Sequence, residues 1–183
     1  AADLPAADAR LDDIFPEPPQ LRAMPAEWRT GQRLGFEVRV RPVVRFGKRR
    51  KAERKASEDA QGGDRNWWAR AGEVDAWVAA GSQTGWDAGA TREEVYAAWL
   101  AARLAGAADL EAVELRQFRR SRTRRSTHGK PGRGGVEGPD AVMAGTLAVG
   151  DPAAFARALA RGVGRHAAFG FGMLLLSPPG RSG

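Results

Sequence analysis

The chain has 183 residues, 43% of them hydrophobic, which suits one domain with extensions or two small ones and is enough for a real core. Its 29 Lys and Arg against 22 Asp and Glu give a net charge of +7 and a pI near 10.8, a field that draws polyanions such as nucleic acid. No apolar run approaches the roughly 20 residues that span a bilayer and no signal peptide stands out, so no membrane partner is expected; Cys is absent and His128 and His166 lie far apart, so no disulfide, zinc site or other cofactor is expected in what reads as a cytoplasmic protein.

Pro5, Pro16, Pro18, Pro19 and Pro25 punctuate residues 1–30. Proline removes a backbone donor and fixes φ, so the stretch sustains neither a long helix nor a central strand and reads as an extended, proline-rich connector. From Arg33 the pattern turns to period 2. Leu34, Phe36, Val38 and Val40 alternate with Gly35, Glu37, Arg39 and Arg41, which predicts a half-buried strand with arginines on its open face. Residues 45–65 are rich in Arg and Lys, contain Gly62-Gly63 and lack any apolar period, as in a mobile basic loop. Trp67-Trp68 beside it offer flat faces on which bases stack.

Glu73–Ala80 reads as a short helix with Val74, Trp77 and Val78 on one side. Thr91 then caps a stronger helix from Arg92 to Leu104, with Glu94 completing a capping box, Val95, Trp99, Leu100, Arg103 and Leu104 at helical spacing, Tyr96 as a packing residue and Gly106 closing it. Leu110, Val113, Leu115 and Phe118 open a strand that leaves the core as a run of arginines. Val142, Met143, Gly145, Leu147 and Val149 form its antiparallel partner. Asp151-Pro152 starts another helix through an N-cap carboxylate and a proline at the first helical position, with Phe155, Leu159 and Val163 facing inward and Gly162 at its end. Phe171–Leu176 reads as a buried last strand, stopped by Pro178-Pro179. The order strand, helix, strand, strand, helix, strand is that of an α+β, ferredoxin-like (RRM-like) βαββαβ domain over 31–179, followed by a tail, 180–183.

The segment GVGRHAAFGFG, Gly162 to Gly172, contains the dinucleotide spacing GxGxxA. That fingerprint needs a strand before it and a helix after it, and here the order is reversed. The whole segment instead resembles the C-terminal glycine-rich loop of the CRISPR-associated repeat-processing endoribonucleases, the CasE family (type I-E) in particular. DPAAFARALARGVGRHAAFGFGMLLLSP (151–178), GQRLGFEVRVRPVVR (31–45) and VEGPDAVMAGTLAV (136–149) are similar to that family's closing helix, loop and strand, the first strand of its second domain, and its third strand. The resemblance implies the second half of a double ferredoxin-like protein, preceded by its connector. In such proteins the loop helps position RNA, which marks Gly162, Gly164, Arg165, Gly170 and Gly172. Physically, glycine admits positive φ and close approach of a partner, although a helix C-cap at Gly162 and tight layer packing at the others account for the glycines as well.

RQFRRSRTRRSTHGKPGRGG, Arg116 to Gly135, holds eight Arg or Lys and no acid, between two core strands. A hairpin with a cationic tip follows, and in the resembling family such a hairpin engages the stem of the repeat RNA. Arg116, Arg119, Arg120, Arg122, Arg124 and Arg125 are the expected readers of the stem, with His128, Lys130, Arg133 and the strand residues Arg39 and Arg41 as further contacts. Arginine dominates over lysine, which favours forked contacts to phosphate and guanine edges.

Metal-independent RNA cleavage needs a base at the 2′-hydroxyl, an acid at the leaving 5′-oxygen and positive charge on the phosphate. The resemblance implies internal attack leaving a 2′,3′-cyclic phosphate, with the catalytic histidine and tyrosine in a first ferredoxin-like domain that this chain is expected to lack. His166, beside Arg165, is the candidate catalyst here, with His128 behind it and read rather as an RNA contact. Expected partners are a CRISPR repeat stem-loop and the other subunits of a CRISPR surveillance complex. A type IV processing protein, a non-catalytic RNA-binding subunit and an assembly subunit docking an acidic face stand as alternatives. The absence of an RNP-like octamer, and Arg39 and Arg41 where stacking aromatics are wanted, argue against an ordinary RNA recognition motif.

Overall fold

The structure, a computed structural model, describes residues 25, 27–45, 73–84, 89–123 and 136–180. Most of the connector, the basic loop past Arg45, and Trp67-Trp68 lie outside these residues. In chain order the elements are β1 (Arg33–Val40), β2 (Val43–Val44), β3 (Val74–Asp75), α1 (Ala76–Thr84), α2 (Arg92–Leu104), β4 (Ala108–Thr123), β5 (Val136–Val149), α3 (Pro152–Arg161) and β6 (Leu174–Ser177).

Period-2 patterning makes β1 the centre of a four-stranded antiparallel sheet of order β4-β5-β1-β6. With the short β2-β3 pair set aside, that order is the ferredoxin-like one, because β5 splits β1 from β4 and β1 splits β5 from β6. One face carries Phe36, Val38, Val40, Met143 and Leu147 into a core with Trp99, Leu100 and Leu104 of α2 and Phe155 of α3. Burying each large apolar side chain there contributes about 1.5–3 kcal/mol.

Helix α2 begins at Thr91 because the capping box is formed: Glu94 N donates to Thr91 Oγ1 at 3.2 Å and Thr91 N to Glu94 Oε2 at 2.7 Å. Tyr96 packs as expected, fully buried, its hydroxyl donating to Asp75 Oδ1 at 2.9 Å. Burial, and then the Asp75 carboxylate, push its phenol well above the ordinary value. Trp28, within the stretch read as connector, sets its ring edge-on to Phe155 at 5.1 Å.

Two elements differ from expectation. The helix expected at Glu73 starts only at Ala76, since Val74 and Asp75 first pair with Val44 and Val43 and the Asp75 side chain then accepts from Trp77 N. The last strand pairs over Leu174–Ser177 and is buried on one side only: it is an edge strand, so Leu174 and Leu176 pack on the core while Met173 and Leu175 are exposed.

Strand β4 carries two one-residue register shifts against β5, at Glu111 and at Arg116. Residues opposite one another across a ladder share a face. Leu110, Val113, Leu115 and Phe118, opposite Leu147, Gly145, Met143 and Ala141, therefore all lie on the helix side.

Candidate nucleic-acid interface

Beyond Phe118, β4 and β5 continue as a two-stranded ribbon, with Arg119 opposite Asp140, Arg120 opposite Pro139, Ser121 opposite Gly138 and Arg122 opposite Glu137. Alternation puts Arg120 and Arg122 on the helix side, with Arg119, Ser121 and Thr123 on the other. Arg120 pairs with Glu137 at 2.9 Å, both well exposed. Arg122 is exposed, with no ion pair among the described residues. Arg116, at the second register shift, lies 4.0 Å from Glu37 and 3.8 Å from Glu114. Arg124, Arg125, His128, Lys130 and Arg133, expected at the tip, fall outside the described residues.

Asp140 organises the base of the ribbon. Arg39 donates to it through Nε (2.8 Å to Oδ1) and Nη2 (2.7 Å to Oδ2), and Arg119 Nε adds a third bond at 2.9 Å. The carboxylate is 2% exposed, and these donors, Arg39 foremost, hold its carboxyl far below the usual range. Arg39 thus reaches the surface at 41% exposure with its charge partly matched.

Arg41 lies on the open face as expected, but is buried there, at 1% exposure. Lying just past the end of β1, it passes under the ribbon and donates to Pro139 O, to Ser121 O and Oγ and to Thr123 Oγ1 at 2.8–3.3 Å. Burial lowers its guanidinium pKa, and the surrounding acceptors offset the cost of burying the charge. Its visible role is that of a strut between sheet and ribbon.

The glycine loop sits at the same end of the sheet. Phe171 lies under both Arg39 and Arg41, their guanidinium carbons 4.8 and 4.9 Å from the ring centre, and Gly172 N donates to Arg39 O at 2.7 Å. Gly162, Gly164, Gly170 and Gly172 all have positive φ. A Cβ on Gly164 would meet the Trp99 ring at 2.7 Å, one on Gly162 the Gly172 carbonyl at 3.1 Å, and one on Gly172 the Val163 backbone. Close packing therefore accounts for these three. Gly170 has nothing within 4 Å and presents bare backbone outward. Helix α3 precedes the loop, a single 3-10 turn (Ala167–Phe169) lies within it and β6 follows it, so among the described residues no α-helix begins after the loop as the dinucleotide fingerprint requires.

Arg165 and His166 converge on a single carboxylate. Arg165 Nε forms an ion pair with Glu73 Oε1 at 2.7 Å, and His166 Nε2 donates to Glu73 Oε2 at 2.8 Å. His166 is 14% exposed and takes a left-handed φ of 70°. Sequence reasoning missed Glu73, Asp140 and Phe171. An acid directly across from Arg119 in a hairpin was a usable cross-strand signal for Asp140. Glu73 gives none, lying 93 positions from His166.

Ribbon and glycine loop thus form one cationic end on a ferredoxin-like α+β domain. Residues 8–178 match the sequence model of the family described as CRISPR associated protein, and the chain belongs to that family. Among solved structures it is similar to the CRISPR endoribonuclease Cse3 bound to a 19-nucleotide RNA (24% identity, TM-score 0.56, covering 87% of this chain and 62% of that one). It is likewise similar to Thermus thermophilus Cse3 bound to an RNA representing a pre-cleavage complex (25% identity, TM-score 0.54, 85% and 58%). A chain of a CRISPR RNA-guided surveillance complex shares the fold at 16% identity (TM-score 0.52, 85% and 63%). The chain spans less than two thirds of the length of each. No curated protein matches it.

Proposed function

We propose that this chain binds the stem-loop of a CRISPR repeat and takes part in its processing by a metal-independent endoribonuclease of the CasE kind. Cleavage would proceed by 2′-hydroxyl attack to a 2′,3′-cyclic phosphate, the product then staying bound within a surveillance complex. The observation that carries the reading is the Arg39-Asp140-Arg119 bridge with Phe171 beneath it, which joins the base of the arginine ribbon to the glycine loop at one end of the sheet. That end presents arginine forks and bare backbone, the groups that follow a sugar-phosphate chain. The described residues hold RNA in this reading. His166, engaged by Glu73, is the one imidazole among them, and the catalytic pair is assigned to a preceding ferredoxin-like domain.

Incubating repeat RNA in EDTA with the chain alone, and with an N-terminally extended form, tests the reading. Binding by both, with a single cut ending in a cyclic phosphate by the extended form only, is the expected result. Cleavage by the chain alone that is lost in His166→Ala would move the active site to the glycine loop. Binding without cleavage by either form would leave a non-catalytic RNA-binding subunit. Affinity that does not fall with salt would sink the RNA assignment altogether.

A further inference from the structure

Glu73 places an acid directly against the glycine loop, between Arg165 and His166. Its two oxygens take one partner each, Arg165 Nε in an ion pair at 2.7 Å and His166 Nε2 in a hydrogen bond at 2.8 Å, an arrangement that two oxygens of a phosphate reproduce. A carboxylate only accepts, so His166 presents its Nε2 proton toward this point. The three side chains are unequally placed: Glu73 is 17% and His166 14% exposed, but Arg165 is 52% exposed and reachable from solvent. Neighbouring Gly170 leaves backbone uncovered, with no atom within 4 Å of where a Cβ would stand. His166 is also the one non-glycine residue held at positive φ among those described. That conformation is unfavourable for an L-residue, and the bond to Glu73 offsets its cost. Asp140 differs in kind, since it is 2% exposed, gripped by two arginines and built in as a strut.

Resting on the RNA reading above, we propose that Arg165 and His166 form a binding site for one backbone phosphate of the RNA, and that Glu73 fills this site as an internal anion when RNA is absent. RNA and Glu73 then compete for the same two donors. The competition sets a threshold: a weakly held polyanion does not dislodge Glu73, whereas an RNA anchored elsewhere on the ribbon does.

The test uses the 183-residue chain and a fluorescently labelled repeat stem-loop, with affinity measured across a range of KCl concentrations. Glu73→Gln is expected to bind about threefold to fivefold more tightly, the range that loss of a partly exposed ion pair supports. The gain should vanish in the Glu73→Gln, Arg165→Ala double variant. Arg165→Ala alone should lower the slope of log affinity against log salt by roughly 0.7 to 0.9, one phosphate contact. Unchanged or weaker binding by a folded Glu73→Gln, or an unchanged slope in Arg165→Ala, overturns the proposal. Should Glu73→Gln not fold, the Arg165→Ala slope decides alone. A chain that binds no repeat RNA overturns the function proposed above together with this inference, whereas RNA binding with neither effect overturns the inference only.

Discussion

Arg39 and Asp140 meet in a two-pronged ion pair, at 2.8 and 2.7 Å, that ties the end of β1 to the root of the arginine ribbon. Their side chains come from neighbouring strands, and Arg119 on the far strand donates to the same carboxylate. One nearly buried acid thereby turns two mutually repelling arginines into a brace spanning three strands.

Asp140→Asn removes the charge while keeping the shape. It should lower stability by about 1–3 kcal/mol at neutral pH, at the low end of what breaking a buried pair costs because both arginines are partly exposed. Folding depresses the Asp140 carboxyl below its unfolded value of about 3.9, so this stabilisation is complete above that pH and fades as pH falls below it. Urea midpoints should therefore separate wild type from Asp140→Asn at pH 7, and the gap should narrow progressively as pH falls below about 3.9; a gap of constant size contradicts the assignment.

Arg120 and Arg122 face away from that brace. Alanine at either should leave the melting temperature nearly unchanged, stability moving by about 0.5 kcal/mol or less. Each should nonetheless reduce the salt slope of RNA binding by roughly 0.7 to 0.9. Arg119→Ala is expected to affect both readouts, because its guanidinium also holds Asp140.

Arg41 is a strut. Replacing it with Ala strips hydrogen bonds from Pro139 O and Ser121 O beneath the ribbon and should cost about 2–4 kcal/mol. Hydrogen exchange should show the loss concentrated in the amides of residues 119–123 and 136–140; a uniform change across the sheet would argue against it.

Two glycines separate packing from approach. Gly164→Ala forces a methyl against Trp99 at a φ of +83° and should cost about 2–4 kcal/mol. Gly170→Ala meets nothing and pays only for its φ of +78°, about 1–2 kcal/mol. If RNA backbone passes close to Gly170, that variant should lose affinity out of proportion to its small change in melting temperature, whereas Gly164→Ala should lose affinity only as far as it unfolds.

The elements that the sequence makes legible are those whose signals are local. Thr91 with Glu94, and Asp151 with Pro152, announce their helices within four residues, and the alternation from Leu34 to Val40 needs no partner to be read. Arg41 continues that alternation onto the open face, beside Ser121 and Thr123, yet the ribbon covers it there, which no local pattern announces. The glycine loop could be found from its spacing, but whether each glycine serves packing depends on Trp99 and Val163, which only the folded chain brings near. Glu73 is invisible for the same reason: its partners arrive from the other end of the domain.

The register shifts at Glu111 and Arg116 act like a pair of compensating frameshifts. The first exchanges the two sides of β4 for the span from Ala112 to Leu115, and the second exchanges them back before the arginines begin. Were Arg116 taken into the ladder opposite Val142 instead of being bulged out, every core residue before it would stay in place and the remainder of the strand would turn over, setting Phe118 opposite Asp140 and sending Arg119 toward the helices. The side on which the charged arm presents its arginines is thus set by a single bulge well below it.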